Sequence, residues 1–300
     1  MRILLTGGTG YIGSNLFNFI INNSNHKFLI PYRNKKKIKS LIQKVEIKKV
    51  ITIRISKTND YTEFERSILK FKPDLVIHLA TYYTHHHSND DDINNLINSN
   101  ILFSTKLVEF CTKAGCKKYI CTSTVWKNYQ NTKRPVNLYA ATKNAFEEIL
   151  KYYQSKFKLQ IVNIYLSDTY GELDRRNKII PILIKNAYSN KKIQLSPSNN
   201  IIEILHIKDV VDLYIKIIDF IKVSKMSFIH YYYPKGESFT LKNLILKFIK
   251  ASNSNLSIQF NKKPYRVREV MYPSKSKSTF KLNWKPKNKF VDTIKNIFQK

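Results

Sequence analysis

Tyr139 and Lys143 are separated by three residues at the start of a helix-like run that continues to Gln154. Residues four apart on a helix share a face. The ammonium therefore lies where it can stabilise a tyrosinate and draw the phenol down from its ordinary pKa of about 10. A tyrosine so placed can pass a proton to or from a substrate oxygen. Upstream, Ile120-Cys121-Thr122-Ser123-Thr124-Val125-Trp126 reads as a strand end breaking into hydroxyl residues, where a Thr or Ser can bond that oxygen. A third feature opens the chain: apolar Ile3-Leu4-Leu5, then Thr6-Gly7-Gly8-Thr9-Gly10-Tyr11-Ile12-Gly13, then an amphipathic stretch from Ser14 to Ile21. Gly7 suits the tight strand-to-helix turn, Gly10 the close approach of backbone to a pyrophosphate, and Gly13 close packing of helix on sheet. The free amides at the start of such a helix favour an anion. The chemistry these residues predict is proton transfer coupled to hydride carried by a bound nicotinamide dinucleotide.

The elements around them must form a parallel sheet. Apolar strand-like runs at 27–31, 50–55, 74–78, 119–122 and 160–166 alternate with helical patterns at 61–70, 93–112 and 139–154. Such alternation predicts an α/β, Rossmann-like, doubly wound parallel sheet with helices on both faces. Ligands of such sheets bind beyond the carboxyl ends of the strands, where every motif above falls. Residues 1–168, with returning segments at about 201–233, are expected to form the dinucleotide-binding unit. Residues 169–200 and 234–300 are expected to form a smaller C-terminal substrate-binding lobe.

Composition narrows the partners. The 300 residues carry a formal net charge of +31, with lysines spread along the chain and no dominant basic block. This reads as solvated surface and electrostatic attraction of an anionic substrate, not as a nucleic-acid site. No apolar run approaches the ~20 residues that span a bilayer, so no membrane partner is expected. The first residues end in glycines and not in a small-residue cleavage site. Three cysteines, Cys111, Cys116 and Cys121, fit a reducing cytoplasm and no disulfide framework. His85-His86-His87 beside Asp90-Asp91-Asp92 invites a metal, but adjacent histidines in extended chain point to opposite sides and hydride chemistry needs none. No metal is expected, and the segment is assigned to a substrate loop together with Tyr82 and Tyr83. Arg175, Arg176, Arg266 and Arg268 are candidates to clamp a diphosphate, since guanidinium pairs bidentately with phosphate.

In this order the segments resemble the extended short-chain dehydrogenase/reductase family, the NAD-dependent epimerases and dehydratases, which act mostly on nucleotide-linked sugars. His78-Leu79-Ala80-Thr81 is similar to the family's fourth-strand segment beside the cofactor, and Asn100 to an asparagine in the helix that follows. Leu205-His206-Ile207-Lys208-Asp209 resembles the segment beside the nucleotide sugar, and Leu282-Asn283-Trp284-Lys285-Pro286 the C-terminal signature. The resemblance implies Tyr139 as general acid/base, Lys143 as its electrostatic partner, and Thr122, four residues before Trp126, as the hydroxyl on the reacting oxygen. It implies a cofactor site from Gly7, Thr9, Gly10, Tyr11, Ile12, Gly13, Arg33, Asn34, Leu79, Ala80, Thr81 and Asn100 together with Tyr139 and Lys143. Substrate contacts are implied for Tyr82, Thr124, Arg266 and Arg268, with Arg266 and Arg268 favoured over the other arginines. A homodimer through 100–112 and 139–154 is implied as well.

Departures from the family pattern narrow the activity. Members that dehydrate nucleotide-glucose carry Asp-Glu directly after the catalytic threonine, whereas this chain has Ser123-Thr124, which argues against 4,6-dehydration. Members preferring NAD place an acid at the end of the second strand. Here Ile30-Pro31-Tyr32-Arg33-Asn34 offers an arginine suited to a 2′-phosphate, so NADP is favoured over NAD. Glu172 follows Tyr170-Gly171 where proline is usual, and Ile202 replaces a common arginine. The stretch 137–143 and Thr122-x-x-x-Trp126 are similar to the branch that makes CDP-abequose and CDP-paratose. The expected activity is NADPH-dependent reduction of a nucleotide-linked 4-keto-6-deoxy sugar at C4. A 4-epimerase that retains its cofactor uses the same residues, and a non-catalytic dinucleotide-sensing or RNA-binding protein is the reading from another class.

Overall fold

In the computed structural model, residues 1–43, 45–56, 60–189 and 192–299 are described. Alternating strands and helices fill the first part: β1 (Arg2–Thr6), α1 (Tyr11–Asn23), β2 (Lys27–Tyr32), α2 (Lys35–Ile42), β3 (Val50–Arg54), α3 (Thr62–Phe71) and β4 (Leu75–His78). There follow α4 (Asp90–Ile97), α5 (Phe103–Lys113), β5 (Lys118–Thr124), α6 (Leu138–Phe157) and β6 (Gln160–Leu166). The remainder comprises β7 (Asp168–Tyr170), α7 (Ile179–Ser189), β8 (Ile193–Gln194), β9 (Ile201–His206), α8 (Ile207–Val223) and β10 (Phe228–Tyr232). Last come β11 (Glu237–Thr240), α9 (Leu241–Ser252), β12 (Ile258–Gln259) and α10 (Phe290–Phe298).

Seven strands form the large sheet in the order β10-β6-β5-β4-β1-β2-β3, all parallel. The strand order reverses between β1 and β4, which makes the carboxyl ends there the natural ligand crevice. Side chains alternate across the sheet. Leu5, Ile120 and Ile164 pack with Leu16, Phe17, Leu213 and Tyr214 of α1 and α8. Leu4, Val76, Tyr119 and Cys121 pack with Phe64, Leu107, Phe146 and Leu150 of α3, α5 and α6. A third core joins Tyr170 and Ile204 to Leu183, Leu244, Phe248, Phe290 and Ile294 of α7, α9 and α10.

Two local expectations change, and one helix lies outside the patterns given above. Lys35-Lys36-Lys37 opens α2, whose start is capped by Asn34 accepting a hydrogen bond from the Lys37 amide. The run 93–112 is not one helix: a π-helical turn, Asn98–Leu102, separates α4 from α5. That extra residue in the turn directs Asn100 inward, where it is buried. Finally β9, placed with the segments returning to the dinucleotide-binding unit, pairs outside the large sheet, parallel to β7 and antiparallel to β11. α8 packs on the large sheet and β10 joins it, while Leu205 of β9 reaches the same core. Cys111, Cys116 and Cys121 are free and buried, and burial holds the Cys116 and Cys121 thiols up at about 12. Among the described residues no helix is long and apolar enough to cross a membrane.

Candidate active site

The glycine turn is built as a cradle. Gly7 has φ +70°, and a Cβ there would stand 2.6 Å from the Leu79 carbonyl carbon and the Ala80 nitrogen. At Gly13 a Cβ would meet the Gly7 carbonyl oxygen at 2.2 Å, so any larger residue pushes α1 off the turn. Gly10 is the N-cap of α1 and supplies no capping side chain, and the first turn holds no acidic residue. Helix-start amides left without partners of their own are suited to an anion. The chain's residues thus fit a dinucleotide diphosphate at this place.

From the cradle a cleft of about 460 Å³ runs along the strand ends. Gly7, Thr9, Gly10, Tyr11, Ile12, Gly13, Arg33, Asn34, Leu79, Ala80, Thr81, Thr122, Thr124 and Tyr139 all line it. At one end stand Arg33 and Lys37, with Asn34 spent on capping α2 at 3.0 Å. Leu79 and Ala80 are hung from Thr6 by bonds to its carbonyl and hydroxyl oxygens, 3.2 and 3.1 Å. His78 is a satisfied core histidine: its ring nitrogens meet Thr6 Oγ1 at 2.7 Å and Ser104 Oγ at 2.9 Å. Burial, then the Lys143 charge, lowers its pKa to about 3.

Tyr139 marks the other end. Tyr83 packs edge-on against its ring at 5.0 Å, and Trp126 lies beside Tyr83 at 6.0 Å. The phenol differs from its sequence expectation. Burial, then the neighbouring Tyr83, pushes its pKa above the ordinary value, against a lowering hydrogen bond from Thr81. Desolvation outweighs any pull from Lys143, whose ammonium is itself brought down to about 8 by burial. Lys143 is 6 % exposed, lies below the cleft wall and shares its electrostatic neighbourhood with Cys121 and His78. Asn100 does not line the cleft either. Its side chain accepts from Thr81 Oγ1 (2.9 Å) and the Tyr82 amide (2.8 Å), and donates to the Tyr82 carbonyl and Thr142 Oγ1, both at 3.0 Å. It clamps the loop after β4 to α6.

The three hydroxyls at the end of β5 have different fates. Thr122 exchanges a hydrogen bond with the Tyr214 phenol on α8. Thr124 Oγ1 accepts the Trp126 amide at 3.2 Å. Ser123 lines the cleft, and its Oγ is buried without a hydrogen-bond partner from the protein.

On the substrate side the loop after β7 supplies residues that sequence spacing favoured less. Arg176 lines the cleft, stacks 4.4 Å over the Tyr11 ring and bonds Asp174 and Thr169. Lys178 and Asp168 form an ion pair in the cleft wall. Burial works against the Asp168 charge, but Lys178, Arg176 and Arg266 together hold the carboxyl below its usual range. Arg266 is exposed at the rim, near enough for its charge to act on Tyr83 and His85. Arg268 is a strut: its guanidinium donates to the Val136 and Pro135 carbonyls at 2.9 and 2.7 Å and covers the Tyr129 ring. Arg175 is exposed. Tyr82 turns from the cleft to donate its hydroxyl to Asp92 at 2.6 Å, and Tyr83 takes the inward position. The His85 ring lies tilted against His86 and edge-on to Trp126, and burial with the Arg266 charge lowers its pKa to about 4. Asp90, Asp91 and Asp92 form the first turn of α4 beneath an Asn89 cap, where negative charge suits the helix dipole. Among the described residues no group of three or more His, Cys, Asp or Glu side chains is placed to hold a metal.

Comparison with known proteins agrees with this architecture. The model of the NAD dependent epimerase/dehydratase family matches residues 3–227. The CDP-abequose synthase of Yersinia pseudotuberculosis is 28% identical over 305 aligned residues, covering 98% of this chain and 100% of that one. The human dTDP-D-glucose 4,6-dehydratase is 25% identical, covering 99% and 89%. Among solved structures, a UDP-glucuronic acid 4-epimerase from Bacillus cereus in complex with UDP-glucuronic acid and NAD superposes with a TM-score of 0.83 at 20% identity, covering 100% and 98%. At that identity the superposition shows a shared fold. With three quarters of its length matched by the family model, and with the glycine cradle and strand-end cleft in place, the chain belongs to the NAD-dependent epimerase/dehydratase family.

Proposed function

We propose that this protein reduces the C4 carbonyl of a nucleotide-linked 4-keto-6-deoxyhexose, or its 3,6-dideoxy counterpart, with NADPH. The observation that carries the reading is the inventory of acids in the cleft. Asp168 is the one carboxylate among the described lining residues, and Lys178 neutralises it. Elimination of water from a hexose needs an acid and a base beyond the tyrosine, whereas ketone reduction needs one proton donor. Tyr139 is that donor. Burial raises the pKa of its phenol, so the group carries the proton that a carbonyl oxygen takes up. The full-length similarity to CDP-abequose synthase supports the same assignment.

The dinucleotide would supply hydride to C4. The amides of the Gly7–Gly13 turn would hold its diphosphate, Arg33 and Lys37 its 2′-phosphate, and Leu79–Thr81 would flank it. As C4 gains hydride, the carbonyl oxygen takes the Tyr139 proton and becomes a hydroxyl. The resulting phenolate would draw on the Lys143 charge one helical turn away and recover its proton from water. Arg176 and Arg266 would meet the nucleotide diphosphate. Two copies joined through the outer faces of α5 and α6 belong to the same reading.

The test mixes purified protein, NADPH and a panel of CDP-, dTDP- and UDP-linked 4-keto-6-deoxyhexoses, following reduced-nicotinamide absorbance and product identity. Stoichiometric NADPH loss with one C4 stereoisomer is expected. Interconversion of two saturated nucleotide sugars without added cofactor would overturn the reductase reading in favour of a 4-epimerase.

A further inference from the structure

Tyr139, Lys143 and Glu147 follow one another at four-residue intervals on α6 and so share one face of the helix. Glu147 is buried, and the cation bonded to it is Lys127, the residue after Trp126 in the loop that follows β5. The Lys127 ammonium donates to both Glu147 carboxylate oxygens, at 2.9 and 3.2 Å, and to the Tyr165 phenol at 3.2 Å. That phenol in turn donates to Glu147. The ammonium also lies 4.6 Å from the centre of the Tyr165 ring, and the ring stacks on Tyr233 at 4.4 Å. Tyr83 touches both of the elements that the ion pair joins. Its ring meets Tyr139 of α6 at 5.0 Å and Trp126 of the loop at 6.0 Å. Trp126 also meets His85 edge-on at 5.4 Å, so it backs the loop after β4 at two points. The Trp126 main chain is held by Thr124 Oγ1 and by the Val136 amide, which close the base of its loop. The Lys127–Glu147 pair fastens that loop to the body of α6, one turn beyond Lys143.

We propose that the Lys127–Glu147 pair is a clamp that sets Tyr83 against Tyr139, and that Lys127 is a positioning residue for proton transfer. Holding Trp126 to α6 fixes the slot in which the Tyr83 ring packs. Tyr83 and Tyr139 both line the cleft, so a displacement of Trp126 passes through Tyr83 to the place where a substrate oxygen must meet the phenol. A buried ion pair is a weak source of stability; what its directed bonds supply is a fixed distance between loop and helix. The inference rests on Tyr139 as the residue that transfers the proton, which reduction and 4-epimerisation share.

Two variants of the full chain separate positioning from stability: Lys127→Met, and a double variant that adds Glu147→Gln. Lys127→Met strands the buried Glu147 charge and should lower the melting temperature, whereas the double variant strands no charge and should recover most of that loss. Turnover should not recover with it. A misplacement of about 1 Å can cost ~10² in rate, and kcat with NADPH and a 4-keto-6-deoxyhexose should fall by about that factor in both variants, with NADPH affinity held. A double variant that regains kcat together with its melting temperature overturns the inference, as does an unchanged kcat in Lys127→Met. A second measurement needs no turnover. Trp126 and Trp284 are the two tryptophans of the chain, so in a Trp284→Phe background the fluorescence reports Trp126. Both variants should shift its emission to the red and raise its quenching by acrylamide; unchanged emission and quenching overturn the inference. If the unaltered protein reduces no keto-sugar, the reductase reading fails by itself. The clamp is then judged on the Trp126 fluorescence and on UDP-hexose 4-epimerisation by the same variants.

Discussion

Replacing Lys143 with methionine should make the protein more stable and less active. Lys143 is 6 % exposed, and burial lowers its pKa from 10.5 to about 8. At about 1.4 kcal/mol for each tenfold change in proton affinity, carrying the ammonium at pH 7 costs the folded state about 3 kcal/mol. Methionine keeps the apolar stem and removes the charge. The sign follows from linkage: between about 8 and 10.5 the folded lysine is neutral while the unfolded one still binds a proton, so the stability of the unaltered protein rises with pH across that window. The cost is fully present below about 8 and gone above 10.5. Melting curves without cofactor should therefore place Lys143→Met about 5 °C above the unaltered protein at pH 7, with the gap closing by pH 10.5. Turnover should fall in the same preparation, because the tyrosinate loses its counter-charge. A variant that melts lower at pH 7, or a gap insensitive to pH, would refute the claim that this charge is held against desolvation.

Two further outcomes follow from the cleft. Tyr139→Phe keeps the ring against Tyr83 but has no proton to give, so turnover should drop by a factor of ~10²–10⁴ while NADPH affinity, read by fluorescence titration, holds; retention of half the normal rate would remove Tyr139 from the mechanism. Arg33→Asp should weaken NADPH by about tenfold to a hundredfold, the worth of one charge-assisted bond to phosphate, and improve NADH. An unaltered protein that already prefers NADH would contradict the role given to Arg33.

Much of the fold is legible because its causes are local. The turn at Gly7 and the helix that follows are dictated by a few neighbouring residues, and the buried strands are mostly apolar runs such as Gln160–Leu166, all seven residues buried. What escapes a linear reading has causes elsewhere in the chain. The π-helical turn at Asn98–Leu102 turns Asn100 toward the loop at 81–82 and Thr142, contacts up to 42 positions away. The apolar pattern of β9 announces a strand but does not name its neighbours, which prove to be β7 and β11. α2 hides behind three lysines, although Asn34 three residues before Lys37 is a readable capping signal.

The site divides along the same line. Tyr139 and Lys143 can be named from sequence because helical spacing alone sets them on one helical turn, and the cradle glycines because their job is steric. Hydroxyls and arginines cannot be ranked that way, since their roles depend on which partner reaches them first. Arg268 stands where a diphosphate clamp was expected, yet the carbonyls of Pro135 and Val136, some 130 positions earlier, already occupy it. Thr122 sits at the family spacing from Trp126, yet Tyr214, 92 positions later, binds its hydroxyl. Tyr82 and Tyr83 are chemically alike until Asp92 takes one of them. In each case folding uses up a polar group that sequence alone leaves free. A polar group that folding leaves free in the cleft is therefore a better guide to substrate contact than one chosen by spacing.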